Sequence, residues 1–192
     1  MNTMPMRILR CFIALELPME AQSELSQATA VLKGAGADVK WLEPENVHLT
    51  LKFLGEIPQS KVLQIGLALS KLKERRAIAS RLGPLGAFPV PHKPRVVWAG
   101  LDDGQGELKN LFETMEAEMA ALGFEREERA FVPHLTLGRV RSGQNLDELA
   151  RLIAATRPEP VAFTFRALTL MKSTLTPSGP LYEGLNTIYL VE

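Results

Sequence analysis

The tetrapeptide His-Leu-Thr-Leu stands twice in this chain, at 48–51 and at 134–137, and takes up two of its three histidines. Side chains alternate faces along an extended strand, so His48 and Thr50 project from one side while Leu49 and Leu51 project from the other. The same holds for His134 and Thr136 against Leu135 and Leu137. Imidazole has an ordinary pKa of about 6.5 and can carry or lack a proton near neutrality. Two imidazoles facing one substrate can therefore serve as base and acid, each transfer worth about 10²–10⁴ in rate. This suits a phosphodiester: one proton leaves an attacking water, another reaches the departing oxygen, and two threonine hydroxyls hold the non-bridging oxygens. One His-x-Thr alone says little, because threonine favours strands and an isolated histidine is commonly a satisfied surface or core residue. The second copy says more. Packing explains repeated leucines; it gives no reason to repeat the polar pair opposite them.

Periodicity supplies the elements that carry these residues. Arg10 to Leu17 is an apolar strand ended by Pro18, and Met19 to Leu32 has Leu25, Ala28 and Leu32 at helical spacing before the stop at Gly34–Gly36. Val47 to Leu54 alternates, predicting Val47, Leu49, Leu51 and Phe53 on one face and His48, Thr50 and Lys52 on the other. A helix is expected over Ser60–Arg75, with Ser60 as its cap, and a strand over Ile78–Phe88. The second half repeats the order. Arg95–Leu101 is a strand, Gln105–Leu122 a helix, Phe131–Val140 the second histidine strand, and Leu146–Ala155 a short helix. Val161–Thr174 reads as one long strand and Leu185–Val191 as the last. The proline-rich stretch 89–94 reads as the connector between halves.

The expected fold class is thus α+β. Two duplicated lobes, approximately 7–88 and 95–192 of a single domain, are related by a pseudo-two-fold axis. Mainly antiparallel sheets line a central cleft, with helices outside. Phe12-Ile13-Ala14 is laid over Val97-Trp98-Ala99, and the two histidines lie 86 residues apart (48 to 134). The period is too long and the copies too few for a solenoid.

Composition narrows the class. The chain has 192 residues, 46% hydrophobic and 23% charged, with no formal net charge. Coating of nucleic acid through many phosphate contacts would call for a basic protein, so RNA, if a partner, is gripped locally at an end. The single cysteine, Cys11, allows no intramolecular disulfide and is expected to be buried. No run approaches the roughly 18 apolar residues of a membrane span, and the N-terminus lacks a secretory apolar core. A cytoplasmic protein acting as a monomer, without membrane or protein partner, is the expectation. A metal centre is a weaker reading, because zinc sites usually take three or four protein ligands and neither motif has a further Cys, Asp or His on its polar face. His92, beside Lys93 in the connector, is expected in solvent. No G-x-S-x-G elbow, P-loop or dinucleotide fingerprint occurs.

Taken together the motifs resemble the two-histidine (2H) phosphoesterases, most nearly the bacterial and archaeal RNA 2′,3′-cyclic phosphodiesterases first described as 2′-5′ RNA ligases. The resemblance covers nearly the whole chain. It rests on Arg10–Pro18, Trp41–Gly55, Gly86–Pro89, Pro94–Gly100 and Phe131–Arg139, with all four motif positions kept and Cys11 standing where an aliphatic residue is more usual. It implies hydrolysis of a 2′,3′-cyclic phosphate end to a 2′-phosphate, without cofactor or metal. His48 would be the general acid, His134 the general base, and Thr50 and Thr136 the phosphate-oxygen donors. The motifs' near-symmetry does not itself decide which histidine does which. Arg139 is a further candidate for phosphate, provided that a bulge at Gly138 turns it inward against strict parity. Lys52 is a candidate by its place on the His48 face, and Phe12 as a base-stacking surface. Tyr182 is expected to pack within a loop. Two rivals stand: 2′-5′ ligation or another cyclic-nucleotide substrate, and a non-catalytic module that binds RNA ends.

Overall fold

The computed structural model describes residues 7–177 and 179–192. The β-rich runs form β1 (Ile8–Glu16), β2 (Val39–Trp41), β3 (His48–Pro58), β4 (Ile78–Phe88), β5 (Val96–Leu101), β6 (Leu135–Val140), β7 (Ala162–Phe165), β8 (Ala167–Leu175) and β9 (Pro180–Tyr189). The 3.6-periodic stretches form α1 (Met19–Lys33), α2 (Lys61–Ser70), α3 (Gln105–Ala121) and α4 (Leu146–Ala155). These strands pair antiparallel in the order β7-β4-β5-β6-β3-β1-β8-β9, with β2 lying beside β6. The order is symmetric about the β6–β3 junction. A pseudo-two-fold axis there exchanges β3 with β6, β1 with β5, β8 with β4, and β9 with β7.

The two half-sheets are not the contiguous stretches 7–88 and 95–192. β4 belongs to the half-sheet of β5 and β6, while β8 and β9 return to that of β1 and β3. Periodicity reports which face a strand buries, not which neighbour it pairs with, so the exchange left no mark in the sequence. For the same reason the proline stretch 89–94 does not link lobes. It is the loop of the β4–β5 hairpin, closed by the Arg95 amide donating to the Phe88 carbonyl at 2.7 Å.

The leucine side of the sheet is the core. Leu49, Leu135, Ile13, Leu15, Val97 and Ala99 are buried together with Leu25 and Leu32 of α1, Ile65 and Leu69 of α2, Leu108, Leu111 and Met115 of α3, and Leu149 and Ile153 of α4. Each such leucine contributes about 1.5–3 kcal/mol by leaving water. α1 packs against α4, over β7 and β4; α2 packs against α3, over β9 and β3. All four helices therefore cover the leucine face, and the histidine face is left open.

Three boundaries differ from expectation. α2 stops at Ser70 rather than Arg75, and Ser60 makes no side-chain cap. Beyond it the Arg75 guanidinium is drawn to Asn110 (2.7 Å) and Thr114 (2.6 Å) of α3, a tertiary contact that overrides local helical preference. The expected strand 161–174 breaks at Arg166, because β7 pairs with β4 in one half-sheet and β8 with β1 in the other. β9 begins at Pro180, ahead of the expected Leu185, since it continues a hairpin with β8.

Candidate active site

β3 and β6 meet through the pair Leu49↔Leu135. Continued one step either way, that antiparallel register sets His48 beside Thr136 and Thr50 beside His134. The four side chains form a square with the histidines on one diagonal and the threonines on the other. Directly opposed Cβ atoms lie about 5 Å apart and diagonal ones roughly 7–8 Å. That leaves room between the two imidazoles for one tetrahedral anion. All four residues are half-buried.

Each ring is set by its own backbone. His48 Nδ1 lies 2.8 Å from the Asn46 carbonyl oxygen, and His134 Nδ1 lies 2.8 Å from that of Val132. A carbonyl only accepts, so Nδ1 must carry the hydrogen. The other nitrogen, Nε2, is then the basic atom of each neutral ring, turned away from the backbone that holds it. Burial disfavours the imidazolium and lowers the His48 pKa to about 4, against the partial upward pull of the Asn46 carbonyl. His134 is lowered as well, first by burial and further by the nearby Arg139, with the Val132 carbonyl opposing. In the free protein both rings favour the neutral form, and an incoming anion supplies the charge that lets one of them hold a proton.

Just past each motif the pairing slips. Ala14 pairs with Thr50 but Ile13 with Lys52, which makes Leu51 an extra residue on β3. Trp98 pairs with Thr136 but Val97 with Gly138, which makes Leu137 the extra residue on β6. A bulge reverses parity for everything after it, and these two bulges are related by the pseudo-symmetry. Their register also aligns Phe12-Ile13-Ala14 with Val96-Val97-Trp98, one residue from the expected match.

The consequences for the candidates are opposite. Arg139 is exposed and turned to the histidine face, with its charge felt at His134 and Tyr182. Leu137 is the extra residue; Gly138 is required for a different reason, since a Cβ there would lie 2.7 Å from Val39 Cγ1 and 2.8 Å from Trp41 Cε3. Lys52 leaves the histidine face. It is 7% exposed and its ammonium donates to Glu116 Oε1 at 2.6 Å and to the Glu125 carbonyl at 2.8 Å. The expected place for Lys52 in the cleft is therefore corrected. Phe53 takes the cleft side instead, 64% exposed and equivalent by symmetry to Arg139.

Phe12 is likewise not an open stacking surface. It is 3% exposed and packs against the His48 ring at 4.8 Å, nearly parallel. Tyr182 closes the group edge-on, 5.1 Å from Phe12 and 5.2 Å from His48. It was expected in a loop; it lies on β9 and touches the site. Around His134 the corresponding walls are Phe88 (5.0 Å) and Trp98 (6.5 Å), and Gly86 is glycine because the Trp98 indole lies over it. Phe88 and Trp98 were not singled out from sequence as walls of the site, and Phe12 and Tyr182 were singled out for other places. Tyr182 in particular lies 134 residues from His48, with no local signal linking the two.

His92 is exposed in the β4–β5 loop, as expected, and Cys11 is buried and free. Among the described residues no three His, Cys, Asp or Glu side chains gather to hold a metal ion, and no helix is long and apolar enough to cross a membrane.

Known proteins are similar to this chain in sequence and in fold. The family profile described as LigT like Phosphoesterase matches residues 15–98 and again 100–182, one match to each His-x-Thr. An RNA 2′,3′-cyclic phosphodiesterase of Methanothermobacter thermautotrophicus is 35% identical over 183 residues, spanning 94% of this chain and 98% of the relative. A protein of the same name from Thermotoga maritima is 33% identical, spanning 92% and 93%. The crystal structure of TT0787 of Thermus thermophilus superposes with a TM-score of 0.74 at 28% identity over 95% of this chain and 98% of that one. Escherichia coli LigT complexed with 3′-AMP shares the fold, with a TM-score of 0.78 at 22% identity over 97% and 100%. Matched in both halves, and with its two motifs joined at one sheet junction, the chain belongs to the LigT-like phosphoesterase family.

Proposed function

We propose that this protein hydrolyses 2′,3′-cyclic phosphodiester ends of RNA or nucleotides to 2′-phosphomonoesters, by acid–base chemistry of His48 and His134 without a metal. The observation that carries the reading is the Leu49↔Leu135 pairing, which brings both His-Thr pairs to one small square. The names of relatives 33–36% identical over most of the chain support it. So do the complexes of E. coli LigT with 3′-AMP and with phosphate, which belong to that protein.

In this reaction His134 Nε2 takes a proton from water as its oxygen bonds to phosphorus. The P–O3′ bond breaks, and His48 Nε2–H gives its proton to the departing 3′ oxygen. Thr50 and Thr136 donate to the non-bridging oxygens, whose charge grows in the transition state. Arg139 adds positive charge at the edge. The expected compartment is the cytoplasm, with the buried Cys11 thiol reduced.

A reversed assignment has one observation in its favour. His48 is the more deeply desolvated ring, which favours the neutral base form. A cyclic substrate with sulfur at the 3′ bridging position decides between the two, because a thiolate departs without protonation. Rescue of His48→Ala but not His134→Ala fixes His48 as the acid; the opposite pattern exchanges the roles.

The test of function is turnover of a 2′,3′-cyclic nucleotide followed by ³¹P NMR, with and without chelator. The parent should yield the 2′-phosphate in both conditions. His48→Ala and His134→Ala should each fall about 10²–10⁴-fold with unchanged thermal unfolding. No turnover by the parent would leave a binding module. Joining of cyclic-phosphate to 5′-hydroxyl ends in place of hydrolysis would make it a ligase.

A further inference from the structure

Beyond the square, one end of the cleft gathers cations. Arg139 on β6 and Lys40 on β2 are cross-strand partners and so project from the same face. Lys40 lies against the β8–β9 turn: a Cβ at Gly179 would stand 3.8 Å from Lys40 Cε. Tyr182, just beyond that turn, lies in the field of both Arg139 and Arg10. Among the described residues none of these three cations makes an ion pair, although Glu56 is the cross-strand neighbour of Arg10. Two other carboxylates on these strands are engaged elsewhere, Glu183 with Lys172 at 2.6 Å and Glu16 with the Thr169 hydroxyl.

The pseudo-symmetry shows that this charge is not a by-product of the duplication. The position equivalent to Arg139 is Phe53, and that equivalent to Phe12 is Val96. Arg139 therefore has no charged counterpart in the other half, and the three cations come from β1, β2 and β6, beside the β8–β9 hairpin. A nucleotide ending in a cyclic phosphate fills the square alone. A strand of RNA brings one more charge, the phosphodiester on the 5′ side of the terminal nucleoside.

We propose that Lys40 and Arg139, flanked by Arg10, form a subsite for that preceding phosphodiester, so that the substrate is the end of an RNA strand in preference to a free cyclic nucleotide. This rests on the hydrolase reading above. The absence of net charge fits a grip on one linkage rather than along a strand.

The experiment compares kcat/KM for three substrates: a 2′,3′-cyclic mononucleotide, the dinucleotide with the same end, and that dinucleotide with a neutral methylphosphonate linkage. The parent and Lys40→Met are measured at two salt concentrations. Lys40→Met keeps the length of the side chain and removes its charge. The parent should prefer the charged dinucleotide about tenfold over both others. Lys40→Met should lose most of that preference, leave mononucleotide turnover unchanged, and weaken the salt dependence for the charged dinucleotide. Equal turnover of charged and neutral linkages overturns the subsite, as does a Lys40→Met loss shared equally by all three substrates. Turnover of none of the three is a different result, which removes the hydrolase reading and the subsite with it.

Discussion

Sulfate, which keeps its charge across the range concerned, should bind the cleft together with a proton. In the free protein His48 titrates at about 4, so at pH 7 its imidazolium is populated at ~10⁻³. An anionic oxygen about 4 Å from the ring, at an effective dielectric near 20, is worth about 4 kcal/mol, or roughly three pKa units. The bound pKa then lies near neutrality. Between the free and bound values the complex holds more protons than its parts, so affinity must fall as pH rises through that window, by about tenfold per unit, and level off above it. His134 is lowered in the same direction, and the two rings share the proton as a coupled pair. Titration calorimetry at pH 6 in buffers of different ionisation heat should show about one proton taken up per sulfate. His48→Ala or His134→Ala should reduce that uptake. Sulfate affinity that stays flat from pH 5 to pH 7.5, with no proton uptake, would refute the argument that desolvated imidazoles recover their charge from the ligand.

Other expectations concern stability and rate. The His48 pKa is depressed on folding, so the unfolded chain binds more protons below pH 6.5. Stability should therefore be full above 6.5 and decline as pH falls toward 4, by up to about 3 kcal/mol from this residue, with His134 adding in the same sense. Urea unfolding at pH 7 and pH 4.5 measures it, and His48→Gln should flatten the difference. Lys52→Met strands the buried Glu116 carboxylate and should lower stability by about 3 kcal/mol in urea unfolding; Lys52→Met with Glu116→Leu should recover most of it. Thr50→Ala and Thr136→Ala should each lower kcat by roughly 10²-fold in single-turnover kinetics, with much smaller changes on replacement by serine.

Much of the fold could be read from the chain because it is written in local patterns. The strand alternation around His48 and His134, the leucine stripes of α1 and α3, and the open polar face opposite the leucines all follow from periodicities of 2 and 3.6. What escaped is what periodicity does not encode. The extra residue Leu51 is a leucine among leucines, so nothing marked the reversal on β3, whereas on β6 a bulge was expected at Gly138 and lies one residue earlier, at Leu137. The slip on β3 exchanged Lys52 and Phe53 between faces, and the slip on β6 brought Arg139 into the cleft. The three-residue β2, which carries Lys40, is too short for a pattern. Strand exchange between half-sheets and the arrival of Tyr182 beside His48 depend on pairing over long separations. The fold class and the four motif positions were therefore accessible early, while the way Phe12, Tyr182, Phe88 and Trp98 wall the site was not.

The claim beneath all of this is that one anion is shared by both motifs, and a crystal structure with inorganic phosphate bound tests it most directly. The account predicts a single phosphorus centre with its oxygens within hydrogen-bond distance of Nε2 of His48, Nε2 of His134, and the hydroxyls of Thr50 and Thr136. A phosphate held by one His-Thr pair alone, with the other pair's side chains out of reach, would contradict it.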